Sequence, residues 1–282
     1  RDFMELESEM HKEHNIESKA LFDNTTKKQL KLSLSNVNFR YKGSKDFVLN
    51  NINYTFEQGK VYLIVGENGA GKTTLIQLLS HLYEPYSGEI KLNNIPINNF
   101  NDTDYKSLFS IVFQDFKYFA FTIAENVALD SYEAQDNTLN TKINMALDKA
   151  GLKKKVDSLA NGIHTNLDKI FYEDGIILSG GENQKLAFAR AVFHDSKILV
   201  LDEPSSALDP IAEDELLKAF QKISKDKIVI YISHRLSSAV LADNILFLKN
   251  GKICECGSHK ELIQKNGDYA SYYHTQAKYY TE

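Results

Sequence analysis

The sequence has little of what several protein classes require. It contains no tryptophan, four prolines and two cysteines in 282 residues, which excludes a disulfide-dense secreted scaffold and a collagen-like chain. No apolar run reaches the ~20 residues that a membrane-spanning helix needs, and no apolar signal region follows the first residue. Apolar residues make up 43% of the chain and charged residues 25%, as in soluble globular proteins. We therefore expect one folding unit with subdomains and a packed core.

Arginine is also scarce, and it occurs only as Arg1, Arg40, Arg190 and Arg235. The formal net charge of −5 argues against broad binding to nucleic acid, which needs a basic face. The two cysteines, Cys254 and Cys256, are one residue apart, so a strand would place both thiols on one face without favouring a bridge. No other cysteine and no histidine pair stands at ligand spacing, so we predict reduced thiols rather than a metal site.

The apolar pattern divides the chain into segments. Residues 1 to about 30 are polar, with apolar side chains at spacings of three and four, and they predict a short helix followed by a linker. Alternation over residues 32–39 and 48–56 predicts two antiparallel strands. Residues 61–65 are apolar throughout, as in a strand buried on both faces of a parallel sheet, and a helix is expected from Lys72 to about Leu82.

Later segments repeat these signals. Residues 198–201 and 228–232 predict two more buried strands, and residues 123–195 are mainly helical in pattern. Residues 89–97 and 245–256 predict hairpins that turn at Asn93-Asn94 and at Asn250-Gly251. Together these segments predict an α/β fold, a doubly wound and mostly parallel sheet with an antiparallel β-subdomain and a helical subdomain.

A phosphate-binding loop is predicted between the strand at 61–65 and the following helix. The residues fit the pattern G-x-x-x-x-G-K-[ST], with Thr74 next to it: Gly66, Glu67, Asn68, Gly69, Ala70, Gly71, Lys72 and Thr73. A glycine turn that merely joins strand to helix needs no lysine and threonine at the helix start. Phosphate binding needs both, because Lys72 reaches the β- and γ-phosphates and Thr73 offers a hydroxyl to Mg²⁺.

Two carboxylates follow the buried strand at 198–201. Taken alone, Asp202 and Glu203 are equally well read as a solvated strand end. Beside a phosphate loop, Asp202 is expected to support Mg²⁺, and Glu203 to orient or deprotonate an attacking water. Alternation along a strand places the Glu203 side chain opposite to that of Asp202.

The segment Leu178, Ser179, Gly180, Gly181 and Glu182 is similar to the LSGGQ signature, and the chain over about residues 32–265 resembles the nucleotide-binding domain of ABC transporters. Ser179 and Glu182 also fit a capping box that starts a helix, and both interpretations hold together. The sequence departs from the family at Glu182, where glutamine is usual, and at Lys185, where arginine is common. An acid near a triphosphate weakens binding unless its side chain turns back as the cap.

Other positions match the family in the same order along the chain. Gln114 resembles the Q-loop glutamine, which links the Mg²⁺ site to the helical insertion, and the D-loop match at 206–209 ends in Asp209. His234 resembles the switch histidine, which contacts the γ-phosphate and positions water together with Glu203. Tyr41 resembles the aromatic residue that stacks on adenine, although a tyrosine there is also typical of an edge strand.

The resemblance implies a P-loop ATPase that uses ATP and Mg²⁺. It also implies a head-to-tail homodimer with ATP between the phosphate loop of one subunit and the signature helix of the other. The match is greatest to exporters with a fused membrane domain, such as bacterial peptide, bacteriocin, lantibiotic or multidrug exporters. The expected organisation is a linker from that domain at 1–31, the nucleotide-binding domain at 32–265 with its helical subdomain at about 115–195, and a C-terminal helix at 266–282. The implied location is the cytoplasmic face of a bacterial membrane.

Three features support the exporter interpretation: the polar lead-in, the segment 232–236, and the segment 171–175, which loosely resembles the part that touches coupling helices. Residues 116–123, with Phe119 and Phe121, are interpreted as a groove for a coupling helix or equally as core. The aromatic stripe Tyr269, Tyr272, Tyr273, Tyr279 and Tyr280 indicates packing against the domain itself, with a dimer contact as the alternative. An importer motor, a soluble ABC ATPase and a catalytically silent module remain competing hypotheses.

Overall fold

The computed structural model describes residues 29–114, 116–129, 136–203, 210–233 and 236–279. The strands form two sheets and are β1 (Lys31–Phe39), β2 (Leu49–Glu57), β3 (Val61–Gly66), β4 (Ser87–Leu92), β5 (Ile95–Pro96), β6 (Phe109–Val112), β7 (Ile198–Asp202), β8 (Ile228–Ile232), β9 (Asn244–Lys249) and β10 (Lys252–Gly257). The α-helices are α1 (Lys72–Leu79), α2 (Asp102–Ser107), α3 (Ile123–Ala128), α4 (Asn137–Lys149), α5 (Lys153–Asp157), α6 (Gly180–Phe193), α7 (Pro210–Ile223), α8 (His259–Lys265) and α9 (Asp268–Tyr279). The helix and linker expected near the first residue lie mostly outside the described residues.

The strand directions in the two sheets are as predicted. The smaller sheet has the order β2-β1-β4-β5 and is antiparallel throughout. The larger sheet has the order β10-β9-β3-β8-β7-β6, and its strands are parallel except for β10. Because parallel strands need helical crossovers on the faces of the sheet, both faces of the larger sheet are covered.

The central strands separate two apolar cores. Along β3, Leu63 and Val65 pack into a core with the helical segment that contains α3, α4 and α6. Tyr62 and Ile64 point the other way, into a core shared with α1 and the antiparallel sheet. This alternation explains why the strand is apolar at every position, since each face meets a different layer.

Two segments predicted as helical extend beyond the observed helices. Helix α1 ends at Leu79 rather than near Leu82, because Ser80 Oγ donates to the carbonyl of Ile76 at 2.9 Å and His81 takes a left-handed backbone with φ 57°. The stretch 158–179 is mostly loop and contains one short 3₁₀ turn at Gly162–His164. Its backbone bonds are used instead in two isolated bridges, Thr122 with Asn166 and Leu167 with Ile176.

The C-terminal aromatic stripe packs against the domain body, as predicted. Tyr269 is fully buried and its hydroxyl bonds to His259 Nδ1 at 2.8 Å, while the Tyr272 ring lies 5.4 Å from that of Phe247. Tyr280 lies outside the described residues, as does the side chain of Tyr279. In the part of the chain that the structure describes, no helix is both long and apolar enough to cross a bilayer.

Candidate functional site

The predicted phosphate loop joins β3 to α1, and its glycines are required by sterics. A Cβ on Gly66 would lie 2.1 Å from the carbonyl oxygen of Leu248 on the neighbouring strand. Gly71 has φ 100°, and a Cβ there would lie 2.6 Å from Leu49 Cδ2. Both positions therefore exclude other residues, because neither the backbone shape nor the space admits a side chain.

The start of α1 is open to an anion. Its cap residue, Gly71, supplies no side-chain acceptor, and among the described residues the first turn carries no acid. The free backbone N–H groups and the helix dipole then favour a negative ligand at this point. At α6, by contrast, a capping box engages the N–H groups of Ser179 and Glu182.

Lys72 lies folded over the loop. Its ammonium donates to the carbonyl of Gly66 at 2.8 Å and to that of Glu67 at 3.0 Å. Burial lowers the pKa of Lys72, while the negative charges of Glu203 and Asp202 act in the opposite direction. The lysine thus stands within the field of both predicted catalytic carboxylates, and a phosphate at the loop would replace its carbonyl partners.

Asp202 and Thr73 meet above the carboxyl end of β8. The register pairs Ile232 with Ile64 of β3 on one side and with Asp202 of β7 on the other. Thr73 Oγ1 donates to Asp202 Oδ2 at 3.2 Å. A hydroxyl and a carboxylate at this separation are oxygen donors of the type that Mg²⁺ prefers, so the residues fit this ion.

Glu203 follows β7 with a backbone that the sequence does not predict. Its φ of 51° is left-handed, and its N–H donates to the carbonyl of Ile232 at 3.0 Å. Strand alternation therefore stops at Asp202. The expectation that alternation places the Glu203 side chain opposite to that of Asp202 is wrong. Gln114 and Gln184 line the same small cavity as these two acids, at the ends of β6 and β7.

Gln184 was not predicted from the sequence. It lies in α6 on the face shared with Ala187, Phe188 and Ala191, and all four are buried. An amide at an apolar helical position is the signal that would have found it, because buried polar groups need partners. Two predicted positions, Asp209 and His234, lie outside the described residues, with the rest of the 204–209 segment.

Tyr41 lies beside the start of α1. Its hydroxyl shares a hydrogen bond with Thr74 Oγ1 at 2.9 Å, and the side chain is 38% exposed. The rings of Phe39 and Tyr83 meet it edge-on, with centroids at 5.0 and 5.6 Å. The tyrosine is thus held next to the phosphate loop with part of its surface open, and Tyr83 is a second aromatic contact that sequence reasoning missed.

The signature segment forms the predicted capping box. Ser179 N donates to Glu182 Oε2 at 2.8 Å, and Glu182 N donates to Ser179 Oγ at 3.3 Å. Lys155 Nζ lies 3.5 Å from Glu182 Oε1. Burial opposes ionisation of Glu182, but the bonds from Ser179 and the charge of Lys155 outweigh it and lower its pKa. The carboxylate is turned back onto its own helix, as anticipated for an acid at this position.

The signature and the phosphate loop are not brought together within one chain. Among the described residues, positions 179–182 share no hydrogen bond or ion pair with positions 66–74.

Asn126 and Arg190 form a buried junction that sequence reasoning missed. Asn126 is fully buried, and its side chain bonds to Phe119 N at 2.8 Å, Phe119 O at 2.9 Å and Thr122 O at 3.0 Å. Arg190 Nε in α6 donates to the carbonyl of Asn126 at 2.9 Å. This junction ties the 119–122 segment to the helix that begins at the signature.

An exposed apolar surface lies next to this junction. It consists of Phe119, Phe121, Ile170, Phe171 and Ile177, which are 47, 52, 84, 70 and 65% exposed. The interpretation of Phe119 and Phe121 as core is therefore wrong. The two segments of this exposed surface, 119–121 and 170–177, are linked through the hydrogen bond from Leu167 N to Phe121 O at 2.9 Å. Contiguous exposed apolar side chains of this kind indicate a surface for a partner.

Comparison with known proteins identifies the family of the chain. The family model described as ABC transporter matches residues 49–206, more than half of the chain. The ATP-dependent lipid A-core flippase of Pasteurella multocida (strain Pm70) is 37% identical over 248 residues, which are 88% of this chain and 41% of that protein. The nisin transport ATP-binding protein NisT of Lactococcus lactis subsp. lactis is 37% identical over 241 residues, 86% of this chain and 40% of that one.

One solved structure has the same fold as this chain. A bacterial Atm1-family ABC exporter with ATP bound superposes with a TM-score of 0.81 at 31% identity, covering 93% of this chain and 43% of that one. The chain thus spans about two fifths of the length of the relatives that it matches.

Proposed function

Because this chain belongs to the ABC transporter family, we propose that it is the ATP-hydrolysing motor domain of an exporter at the cytoplasmic face of a bacterial membrane. The observation that carries the proposal is the meeting of Thr73, Asp202 and Lys72 at the carboxyl edge of the parallel sheet. Ligands of open α/β sheets bind at this edge. The relatives named a flippase, a nisin transporter and an Atm1-family exporter support export over import.

The chain's own groups suffice to bind a triphosphate. The N–H groups at the start of α1 and the Lys72 ammonium hold the phosphates, and Tyr41 offers its ring to the adenine. The hydroxyl of that tyrosine bonds to Thr74 Oγ1, at the beginning of the same helix. Base and phosphates are thus bound at one helix terminus.

Mg²⁺ is the ion that the oxygen donors fit. We assign Thr73, Asp202 and Gln114 to it, because Thr73 and Asp202 are in contact and Gln114 lines the cavity beside Asp202. When bound, the ion offsets the charge that develops on the transferred phosphate. This role explains why a carboxylate is buried beside a site for an anion.

Glu203 is the proposed general base. It stands next to the Mg²⁺ residues and in the cavity that Gln114 lines, so its carboxylate is placed to orient a water and accept its proton. The left-handed backbone at Glu203 supports this role, because strained φ angles concentrate at active sites. His234 is proposed to hold the same water and the γ-phosphate.

A second copy of the domain is needed to complete the site. The N-terminus of α6 is exposed at Ser179 and Gly180, so it is accessible to a second subunit. We assign Ser179, Gly180, Gly181, Glu182 and Asp209 to ATP on the opposite subunit. ATP then favours the closed dimer because it binds that state better, and hydrolysis reopens it.

The apolar surface around Phe119 and Phe171 is the proposed contact with a membrane domain. Its large exposed side chains suit a helix laid across them, and the Asn126–Arg190 junction connects them to α6. Movement of the motor would then reach the membrane domain through packed contacts. The transported cargo is a property of that partner, with peptides, lantibiotics, drugs and lipids as the classes considered.

The Glu203→Gln variant tests the catalytic assignment. We expect ATP-dependent dimers by size-exclusion chromatography and a loss of turnover of at least a hundredfold, as for removal of a general base. Glu89→Gln is the matched control, because Glu89 pairs only with Lys91 on the antiparallel sheet. Turnover of Glu203→Gln at the control rate would show that another group activates water.

A second experiment tests the membrane partner. An antibody against this domain, applied to fractionated cells, is expected to detect an integral membrane protein much longer than these 282 residues. A soluble product of this length would instead favour an importer motor or a non-transport ABC ATPase. That result would leave the ATPase assignment intact and remove the fused membrane domain.

A further inference from the structure

A second polar cleft lies at the opposite edge of the larger sheet from the phosphate loop. It has a volume of ≈ 930 Å³ and is bounded by the end of α4, the middle of α6, the end of α7 and the residues just before β7 and β8. Six lysines line it, namely Lys149, Lys185, Lys197, Lys218, Lys222 and Lys227, against the four acids Asp148, Asp195, Glu215 and Asp226. An excess of cations here contrasts with the chain's net charge of −5.

Most of these lysines are not used by the fold. Lys227 bonds to Asp195 at 2.8 Å, and Lys218 pairs with Asp214 along its own helix. Within the described ranges, Lys149, Lys185, Lys197 and Lys222 have no ion pair or hydrogen bond. These four lysines come from three helices and the segment before β7, and they share one cleft, so their charges add there.

The positions of the side chains show that the charges converge. A Cβ on Gly151 would lie 3.7 Å from Lys185 Nζ, so this ammonium reaches from α6 to the turn after α4. The bond from Lys227 lowers the pKa of Asp195, and the charges of Lys197 and Lys149 act in the same direction. One exposed carboxylate is thus surrounded by three ammonium groups.

The residue type indicates the ligand class. Lysine binds phosphate groups as a compact point charge, whereas paired recognition of carboxylates favours the planar fork of arginine. The cleft contains lysines and no arginine. Its volume lies in the range of sites for nucleotide-sized molecules rather than single ions.

We propose that this cleft binds a small soluble anion with several phosphate groups, at a site separate from the ATP site. The occupant would contact the helical segment through Lys149 and Lys185 and the parallel sheet through Lys197. It would therefore hold the helical segment against the core at the edge farthest from the phosphate loop.

The test uses tripolyphosphate and isothermal calorimetry on the 282-residue chain. All proteins carry Lys72→Ala, which weakens phosphate binding at the ATP site. The cleft variant Lys149→Gln/Lys197→Gln is compared with Lys252→Gln/Lys260→Gln, a control pair of exposed lysines on β10 and α8 that has the same net charge.

We expect the cleft variant to bind tripolyphosphate at least tenfold more weakly than the Lys72→Ala parent, and the control pair to bind it as the parent does. Absence of binding to the parent, or equal weakening by both pairs, would overturn the proposal. Cosedimentation of the parent with phosphatidylglycerol vesicles, without binding of tripolyphosphate, would also overturn it, because the lysines would then serve a membrane surface.

Discussion

Replacing Asn126 by alanine should strongly destabilise the helical segment. The side chain has no exposed surface and makes three short hydrogen bonds, at 2.8, 2.9 and 3.0 Å, to Phe119 and Thr122. Two longer contacts at 3.4 Å reach Phe121 O and Arg190 Nη2. Alanine removes all of these bonds and leaves their partly buried partners behind.

The magnitude follows from these partners. A typical hydrogen bond contributes about 0.5–1.5 kcal/mol net, and a buried group left without a partner costs about 1–3 kcal/mol. The N–H of Phe119 loses its acceptor, and two carbonyls lose a donor but keep a second lone pair. We therefore expect the free energy of unfolding to fall by about 3 kcal/mol, a large share of the ~5–15 kcal/mol of a folded domain.

Urea unfolding followed by circular dichroism measures this loss. Asn144→Ala is the control, because the half-buried Asn144 makes one bond, from Nδ2 to the carbonyl of Asn140 at 2.8 Å within α4. Alanine's higher helix propensity offsets part of that loss, so the control should change by less than about 1 kcal/mol. Equal effects of the two variants would refute the assignment of Asn126 as a junction.

Three further predictions concern ATP. Glu182→Gln keeps the capping box, and the carboxylate that it removes is already turned back onto its own helix, so the KM for ATP should change by less than about twofold in a steady-state assay. Because the pKa of Glu182 is lowered in the folded state, its charged carboxylate stabilises the fold at pH values above the ordinary carboxyl pKa. This stabilisation is lost on acidification, so the melting temperatures of wild type and Glu182→Gln should converge at low pH. Ser179→Arg, combined with Glu203→Gln, should bind ATP by calorimetry yet stay monomeric on size-exclusion chromatography. Tyr272→Phe should raise the KM for ATP roughly two- to fivefold, because the Tyr272 hydroxyl donates to the carbonyl of Gly66, the first residue of the phosphate loop, at 3.4 Å. The control Tyr273→Phe should leave the KM unchanged. Equal effects of the two variants would contradict this role of Tyr272.

The parts of the site that the sequence predicts are motifs whose residues lie next to one another in the chain. The phosphate loop, the acidic strand end and the signature are each complete within eight residues, and the first two follow an apolar run of recognisable period. The strands of the two sheets other than β6 were predicted for the same reason, since alternation and continuous burial are local patterns. Contiguous motifs of this kind need no knowledge of the tertiary contacts.

The parts that were missed depend on pairs of distant residues. Asn126 and Arg190 are 64 positions apart, and each taken alone resembles an ordinary polar residue of a helix. The left-handed backbone of Glu203 is also not readable from its residue type, because glutamate seldom adopts it. Such features arise from tertiary packing, which overrides local propensity.

Helix α6 connects the three regions that a coupled motor needs. Its first turn is the signature, its buried Gln184 lines the cavity of Asp202 and Glu203, and its Arg190 holds the segment that carries Phe119. A rigid helix transmits displacement along its length, because its backbone bonds resist bending. If the proposed membrane domain binds the apolar surface, its movement would alter both the signature and the catalytic cavity. For this reason Asn126→Ala should uncouple ATP turnover from the membrane domain even where the folded state survives.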